Sequence, residues 1–260
     1  MAACLVAALV VGAAVVAVAW APVGPAAAAE ARQRESRALP LAGRVIVLDP
    51  GHQLGNHNFP RQIRRLVPAG GFRKPCNTTG TSTNRGYAEA TFTWQVAGLV
   101  RQRLQQLGAK VVLTRQVNSQ RRWGPCVDVR GRAGNKIGAD LKLSIHADGT
   151  FARGARGFHV IAPARRRPWT HDIFRSSRLL ALAVSAGLQA GGFTPANYVA
   201  GGDGLDVRGD LATLNLSDVP TAMVELGNMR NAREARRMTS PRGRAAYAAG
   251  LVAGVRGFLR

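Results

Sequence analysis

Acidic residues are scarce in this 260-residue chain: 14 Asp and Glu stand against 36 Lys and Arg, a net charge of +22. Lysine is nearly absent too, confined to positions 74, 110, 136 and 142, so arginine carries almost all of the charge. Part of that bias reads as compositional drift, but a field of this sign also steers polyanions to the surface. Three cysteines are too few for a disulfide scaffold, and no Cys-x-x-Cys or His/Cys cluster supports a zinc finger. The phosphate-cradling Gly-x-x-x-x-Gly-Lys loop, the Gly-x-Ser-x-Gly elbow, the His-Glu-x-x-His helix and a usable dinucleotide fingerprint are all missing. Thirty Gly and 13 Pro without a triplet period exclude collagen. The 46% apolar content excludes disorder and leaves room for one sizeable core.

What is present begins with an uncharged segment. Residues 1–29 hold an apolar run from Leu5 to Ala19, then Pro22, Gly24, Pro25 and four alanines. Small residues after an apolar run read as an export signal with a cleavage site, although no Lys or Arg precedes the run. An uncleaved anchor is the alternative, since about 20 apolar residues span a bilayer. Residues 30–42 read as a polar leader, and the folded domain is expected over 43–260. Export implies an oxidising compartment and removes Cys4 with the signal. The remaining pair, Cys76 and Cys126, lies in Gly/Pro-rich loops and is expected to form a disulfide. For an exported chain the polyanions are wall polymers and anionic lipids rather than nucleic acid. Membrane contact is expected only through the N-terminal segment, if uncleaved, and a monomer is the default.

The periodicity predicts alternating strands and helices. Strands are expected at 44–49, 110–114, 141–145, 157–161 and 221–225, with a further one at 211–214. Helices are expected at 89–107, 128–137, 169–189, 231–238 and 241–258, with Thr170 as a candidate N-cap and Gly108 as a C-terminal stop. Residues 53–87 and 195–210 read as loops. The class is α/β, a single domain with a mostly parallel or mixed sheet of about six strands and helices on both faces.

Three reactive residues share one kind of position: His52, His146 and Glu225 each stand at the carboxyl end of a predicted strand, where open α/β sheets place their ligand sites. Glu89 opens a helix, where negative charge is favoured. Two imidazoles with one or two carboxylates match the composition of a catalytic zinc site that keeps an open position for water. Four blocks then carry a family resemblance. They are Val45-Ile-Val-Leu-Asp-Pro-Gly-His52; Glu89 with its helix and Gly108-Ala-Lys-Val-Val-Leu-Thr-Arg115; Arg130 with Asn135 and Ala139-Asp-Leu-Lys-Leu-Ser-Ile-His-Ala-Asp148; and Leu211 to Leu214 with Pro220-Thr-Ala-Met-Val-Glu-Leu-Gly227 and Asn231. In order over residues 44–258, the chain resembles the zinc-dependent N-acetylmuramoyl-L-alanine amidases of the Amidase_3 family, in particular their small actinobacterial members.

The resemblance implies that His52, Glu89 and His146 bind Zn²⁺ and that Glu225 is the catalytic carboxylate. It implies cleavage of the amide between the lactyl group of muramic acid and L-alanine in peptidoglycan or its muropeptide fragments. Arg130 and Asn135 fall in a matching block, and two readings stand open for them: substrate contact or local structural hydrogen bonding. A non-catalytic wall- or polyanion-binding protein is the alternative function. Departures from the family pattern are Gln53-Leu54 where two glycines are usual, Thr93 and Asp148 where Asn is common, Asn228 where an aromatic is frequent, and a long 53–87 segment. His57 and His159 read mainly as structural. Asp203, Asp206 and Asp210 lack calcium-loop spacing.

Overall fold

A computed structural model describes residues 24–25 and 39–260. The expected export signal, apart from Gly24 and Pro25, and the leader up to residue 38 lie outside the described residues. Residues 39–42 belong to the domain rather than to a leader: the Leu41 side chain is buried and its N–H donates to the Leu107 carbonyl at 2.8 Å.

In chain order the elements are β1 (Val45–Pro50), α1 (Pro60–Arg64), β2 (Leu66–Pro68), β3 (Arg73–Pro75), α2 (Glu89–Gln106), β4 (Lys110–Leu113) and α3 (Val127–Arg132). Then come β5 (Leu141–Asp148), β6 (His159–Pro163), α4 (Phe174–Ala190), β7 (Leu205–Arg208), α5 (Ala212–Asn215), β8 (Thr221–Asn228), α6 (Ala232–Thr239) and α7 (Pro241–Phe258). The main sheet has the order β4-β1-β5-β8-β6-β7, and β2 and β3 form a separate antiparallel ribbon. All neighbours in the main sheet run parallel except β6 against β8. The expected six-stranded mixed sheet is therefore what the chain forms.

Strand alternation divides the interior. Ile46 and Leu48 of β1 with Leu141, Leu143 and Ile145 of β5 join the main core, together with Phe92, Val96, Val100 and Leu104 of α2. Tyr247 of α7 completes this layer, stacked on Phe193 at 4.3 Å between ring centroids. The intervening residues point to the other face, where α3 and α5 pack. Val47 meets Ala139 and Val219 there. This second face is unusually polar for a buried one: Asp49, Lys142 and Ser144 are fully buried on it.

Several expectations are corrected. Residues 211–214 form helix α5 rather than a strand. The sixth strand is β7, inside a stretch that reads as loop because Gly and Asp surround it; it pairs on one side only, so little apolar pattern is required of it. The helix expected over 128–137 stops at Arg132, since Gly134 and Gly138 take positive φ of 101° and 54° around a single 3₁₀ turn. The helix expected from 169 starts at Phe174, and Thr170 is no N-cap: its hydroxyl donates to the Ala164 carbonyl. The long 53–87 segment is partly ordered as α1 and the β2–β3 ribbon. Cys76 and Cys126 are bonded, as expected, and pack with Val67, Trp123 and Val127.

Candidate metal centre

The first ligand candidate is held on a turn that few residues tolerate. His52 follows β1 with φ of 57°, a left-handed conformation that costs a residue with a Cβ. Two buried arginines fix it. Arg130 donates to the carbonyls of Pro50 and His52 at 2.8 and 2.5 Å, and Arg115 donates to the Pro50 carbonyl at 3.0 Å. Arg130 also pairs at 2.5 Å with Asp49, which accepts from Thr114 and Ser144 as well. Burial alone would raise the Asp49 pKa; the Arg130 charge and the two hydroxyls overcome it and hold the carboxyl far below its ordinary range. Behind this network Lys142 donates to the carbonyls of Arg130 and Gly131, and burial pushes its pKa down to about 7.

Glu89 stands in the first turn of α2, but its carboxylate turns inward. Oε1 lies 3.1 Å from His52 Nε2 and 2.9 Å from His146 Nδ1, at the end of β5. Oε2 accepts from the Thr81 N–H at 2.9 Å. Burial opposes its charge, but the two imidazoles keep it ionised well below the usual carboxylate range. His52 Nδ1 lies 3.1 Å from the Thr78 carbonyl, an acceptor for an Nδ1 proton that would free Nε2 to ligate a bound metal. The candidate ligand atoms of His52, Glu89 and His146 lie within 4.8 Å of one another, so the three could hold one metal ion. Their approach needs glycine: a Cβ on Gly51 would run into the His146 ring, and one on Gly80, where φ is 74°, would meet Glu89 and His52.

These three residues, Glu225 and Arg130 line one cavity of 390 Å³ over the carboxyl ends of the strands. Glu225 pairs in register with His146 across β5 and β8, so both side chains leave the same face. Its Oε2 is buried without a hydrogen-bond partner. Burial first, then the Glu89 and Asp148 charges, push its pKa well above the carboxylate norm. The mouth of the cavity carries Lys74, whose ammonium reaches the Asp210 carbonyl at 2.8 Å.

The lesser candidates separate clearly. Arg130 borders the cavity but is almost fully buried and directs its guanidinium at Asp49 and backbone carbonyls. Asn135 lies outside the cavity lining and bridges the Leu216 carbonyl and the Asp218 N–H. His57 is exposed and away from the lining. His159 is buried in β6, in register with Glu225, its Nδ1 3.9 Å from Asp148 Oδ2. The departures from the family pattern each have a local task. Gln53 accepts from the N–H groups of Leu54 and Ser119, Thr93 donates to the Gly51 carbonyl, and Asn228 donates to those of Thr150 and Ala155. Asp148 accepts from the Tyr198 hydroxyl at 2.9 Å. Sequence reasoning gives no role to Arg115, Thr78 or Tyr198; each acts through a contact between segments far apart in the chain.

Comparison with known proteins agrees with this geometry. A sequence model of the Amidase_3 family, N-acetylmuramoyl-L-alanine amidase, matches residues 46–257. The chain is 44% identical over 220 residues to the N-acetylmuramoyl-L-alanine amidase Rv3717 of Mycobacterium tuberculosis, covering 84% of this chain and 88% of that protein. The crystal structure of the apo form of the amidase Ami1 from Mycobacterium abscessus superposes with a TM-score of 0.78 at 43% identity, over 84% of this chain and all of that one. Ami1 from Mycobacterium smegmatis gives a TM-score of 0.78 at 38% identity, over 84% and 98%. With a cavity that gathers His52, Glu89, His146 and Glu225, and with these relatives along its length, the chain belongs to the Amidase_3 family of N-acetylmuramoyl-L-alanine amidases, which hydrolyse peptidoglycan.

Proposed function

We propose that His52, Glu89 and His146 hold a Zn²⁺ ion and that Glu225 is the general base and acid for hydrolysis of the lactyl–L-alanine amide. The donor set supports zinc: two imidazoles and one carboxylate are its catalytic complement, and the Thr78 carbonyl gives His52 the outer partner that fixes a ligating imidazole. A bound zinc ion supplies Lewis acidity and lowers the pKa of water towards about 7. The chain's own residues do the rest. Glu225 takes a proton from the attacking water on its unpartnered Oε2 and delivers it to the nitrogen of the departing L-alanine. A raised pKa suits both halves of that cycle, since a strongly acidic carboxylate would accept the proton poorly. Arg130 and Arg115 keep the His52 turn in place, and the Arg130 guanidinium is already committed to Asp49 and backbone carbonyls. Asn135 holds the loop after α3.

The uncharged N-terminal segment and the disulfide support export to the cell wall. Among the described residues no helix is long and apolar enough to cross a membrane. The single observation carrying the reading is the convergence of two imidazoles and a carboxylate beside an orphaned Glu225. Mass spectrometry of muropeptide digests tests it. Intact stem peptide should be released, chelation should stop the release, and Glu225→Gln should cut kcat by about 10²–10⁴-fold while zinc content stays unchanged. Cleavage within the peptide, or zinc lost with Glu225→Gln, would defeat it.

A further inference from the structure

Lys and Arg outnumber Asp and Glu 36 to 14, so only a minority of the basic side chains can be matched. Arg44, Arg132 and Arg208 face Asp140, Asp128 and Asp210, and Arg130 faces Asp49. One cavity gathers three arginines. It measures 360 Å³ and is lined by Arg85, Arg230 and Arg236 with Thr83, Asn84 and Thr239, and no Asp or Glu among the described residues lines it. The three arginines come from three segments: the loop before α2, the turn after β8, and α6. Arg85 and Arg236 are exposed. Arg230 is held in place, its guanidinium 4.6 Å from the Phe151 ring and Nη1 3.3 Å from Asn84 Oδ1, while its Nε is buried without a partner. Like charges collected at a fixed cavity repel one another and gain from an anion that bridges them.

The position relative to the metal centre follows from the chain. Thr81 lines the first cavity and Thr83 lines this one. Two residues span at most about 7 Å. Arg230 is likewise five residues beyond Glu225 on the segment leaving β8. A peptide whose first amide lies at Glu225 advances about 3.3–3.6 Å per extended residue, so its second to fourth residues can reach the arginines.

We propose that the Arg85–Arg230–Arg236 cavity is a carboxylate subsite that binds the free acidic groups of the stem peptide beyond the scissile bond. This rests on the amidase reading above and adds a specificity determinant to it. Guanidinium groups are planar forks that match a carboxylate in a bidentate way, and the neutral sugars of the glycan offer nothing equivalent. Arg85 and Arg236 face solvent, so substrate reaches them without a conformational change.

The test uses the zinc-loaded protein and two muropeptides that differ only in whether the stem-peptide carboxylates are free or converted to carboxamides. Three proteins are compared: the unaltered chain, R85Q/R236Q, and R175Q/R178Q, which removes the same charge from exposed positions of α4. The unaltered protein should show a KM roughly tenfold or more lower for the acidic substrate, the effect of one or two charge-assisted hydrogen bonds. R85Q/R236Q should erase that preference with kcat kept within about twofold, and R175Q/R178Q should retain it. Equal KM values for both substrates in the unaltered protein would overturn the subsite, as would R85Q/R236Q raising both KM values alike. Release of intact peptide from both substrates in those cases leaves the amidase reading standing. Release from neither ends that reading and the subsite with it.

Discussion

Arg130 is a structural hub rather than a surface cation. One guanidinium satisfies Asp49 and three carbonyls, two of them in the segment that carries His52. Removing it strands a fully buried carboxylate, and breaking a buried pair from one side costs about 3–5 kcal/mol. Arg130→Met should lower stability by that amount in urea titrations at pH 7. The Asp49 pKa is depressed in the folded state, so its contribution is fully present above about 3.9, the unfolded value, and is lost as the pH falls below it. The gap between Arg130→Met and the unaltered protein should therefore narrow in acid, and a pH-independent gap would refute this account. At this scale the four chemical residues were legible because each stands at a strand end or helix start and matches a family block. Arg115, Thr78 and Tyr198 were not, because their roles consist of contacts 26 to 65 positions away in sequence.

Among the elements, α4 and α7 approach closely because glycines stand at their crossing. A Cβ on Gly254 would come 2.5 Å from Val184 Cα and 2.8 Å from the Ala183 carbonyl, both backbone atoms that cannot step aside. Gly254→Val should cost about 1–3 kcal/mol or more through overpacking, read as a fall in the urea midpoint. The Cys76–Cys126 bond ties the segment after β3 to the start of α3 across 50 residues. Closing a loop of that length stabilises by about 4 kcal/mol in the chain-entropy model, so denaturation with reductant present should show a loss of this order. The long helices and the central parallel strands were readable from periodicity. The exchange of strand for helix at 205–215 was not: β7 is an edge strand and α5 only one turn, too short for either period to register.

For the molecule as a whole, an ion held by His52, Glu89 and His146 would tie the end of β1, the start of α2 and the end of β5 together. An ion that binds only the folded chain stabilises it by mass action. Chelation should therefore lower Tm as well as abolish activity, and zinc should restore both; an unchanged Tm would mean that the three ligands do not form one site. The sequence by itself determined the α/β class, the core strands, the disulfide pair and the four residues that converge on one cavity. All of these are written in local patterns: apolar runs, glycine stops and short motifs at element ends. Tertiary structure alone decided that Glu89 leaves its helix start to bridge two imidazoles, that a polar sheet face anchors the His52 turn, and that three arginines gather unopposed beside the cleft. Those outcomes depend on burial and on charges brought together from distant segments, and neither exists until the chain has folded.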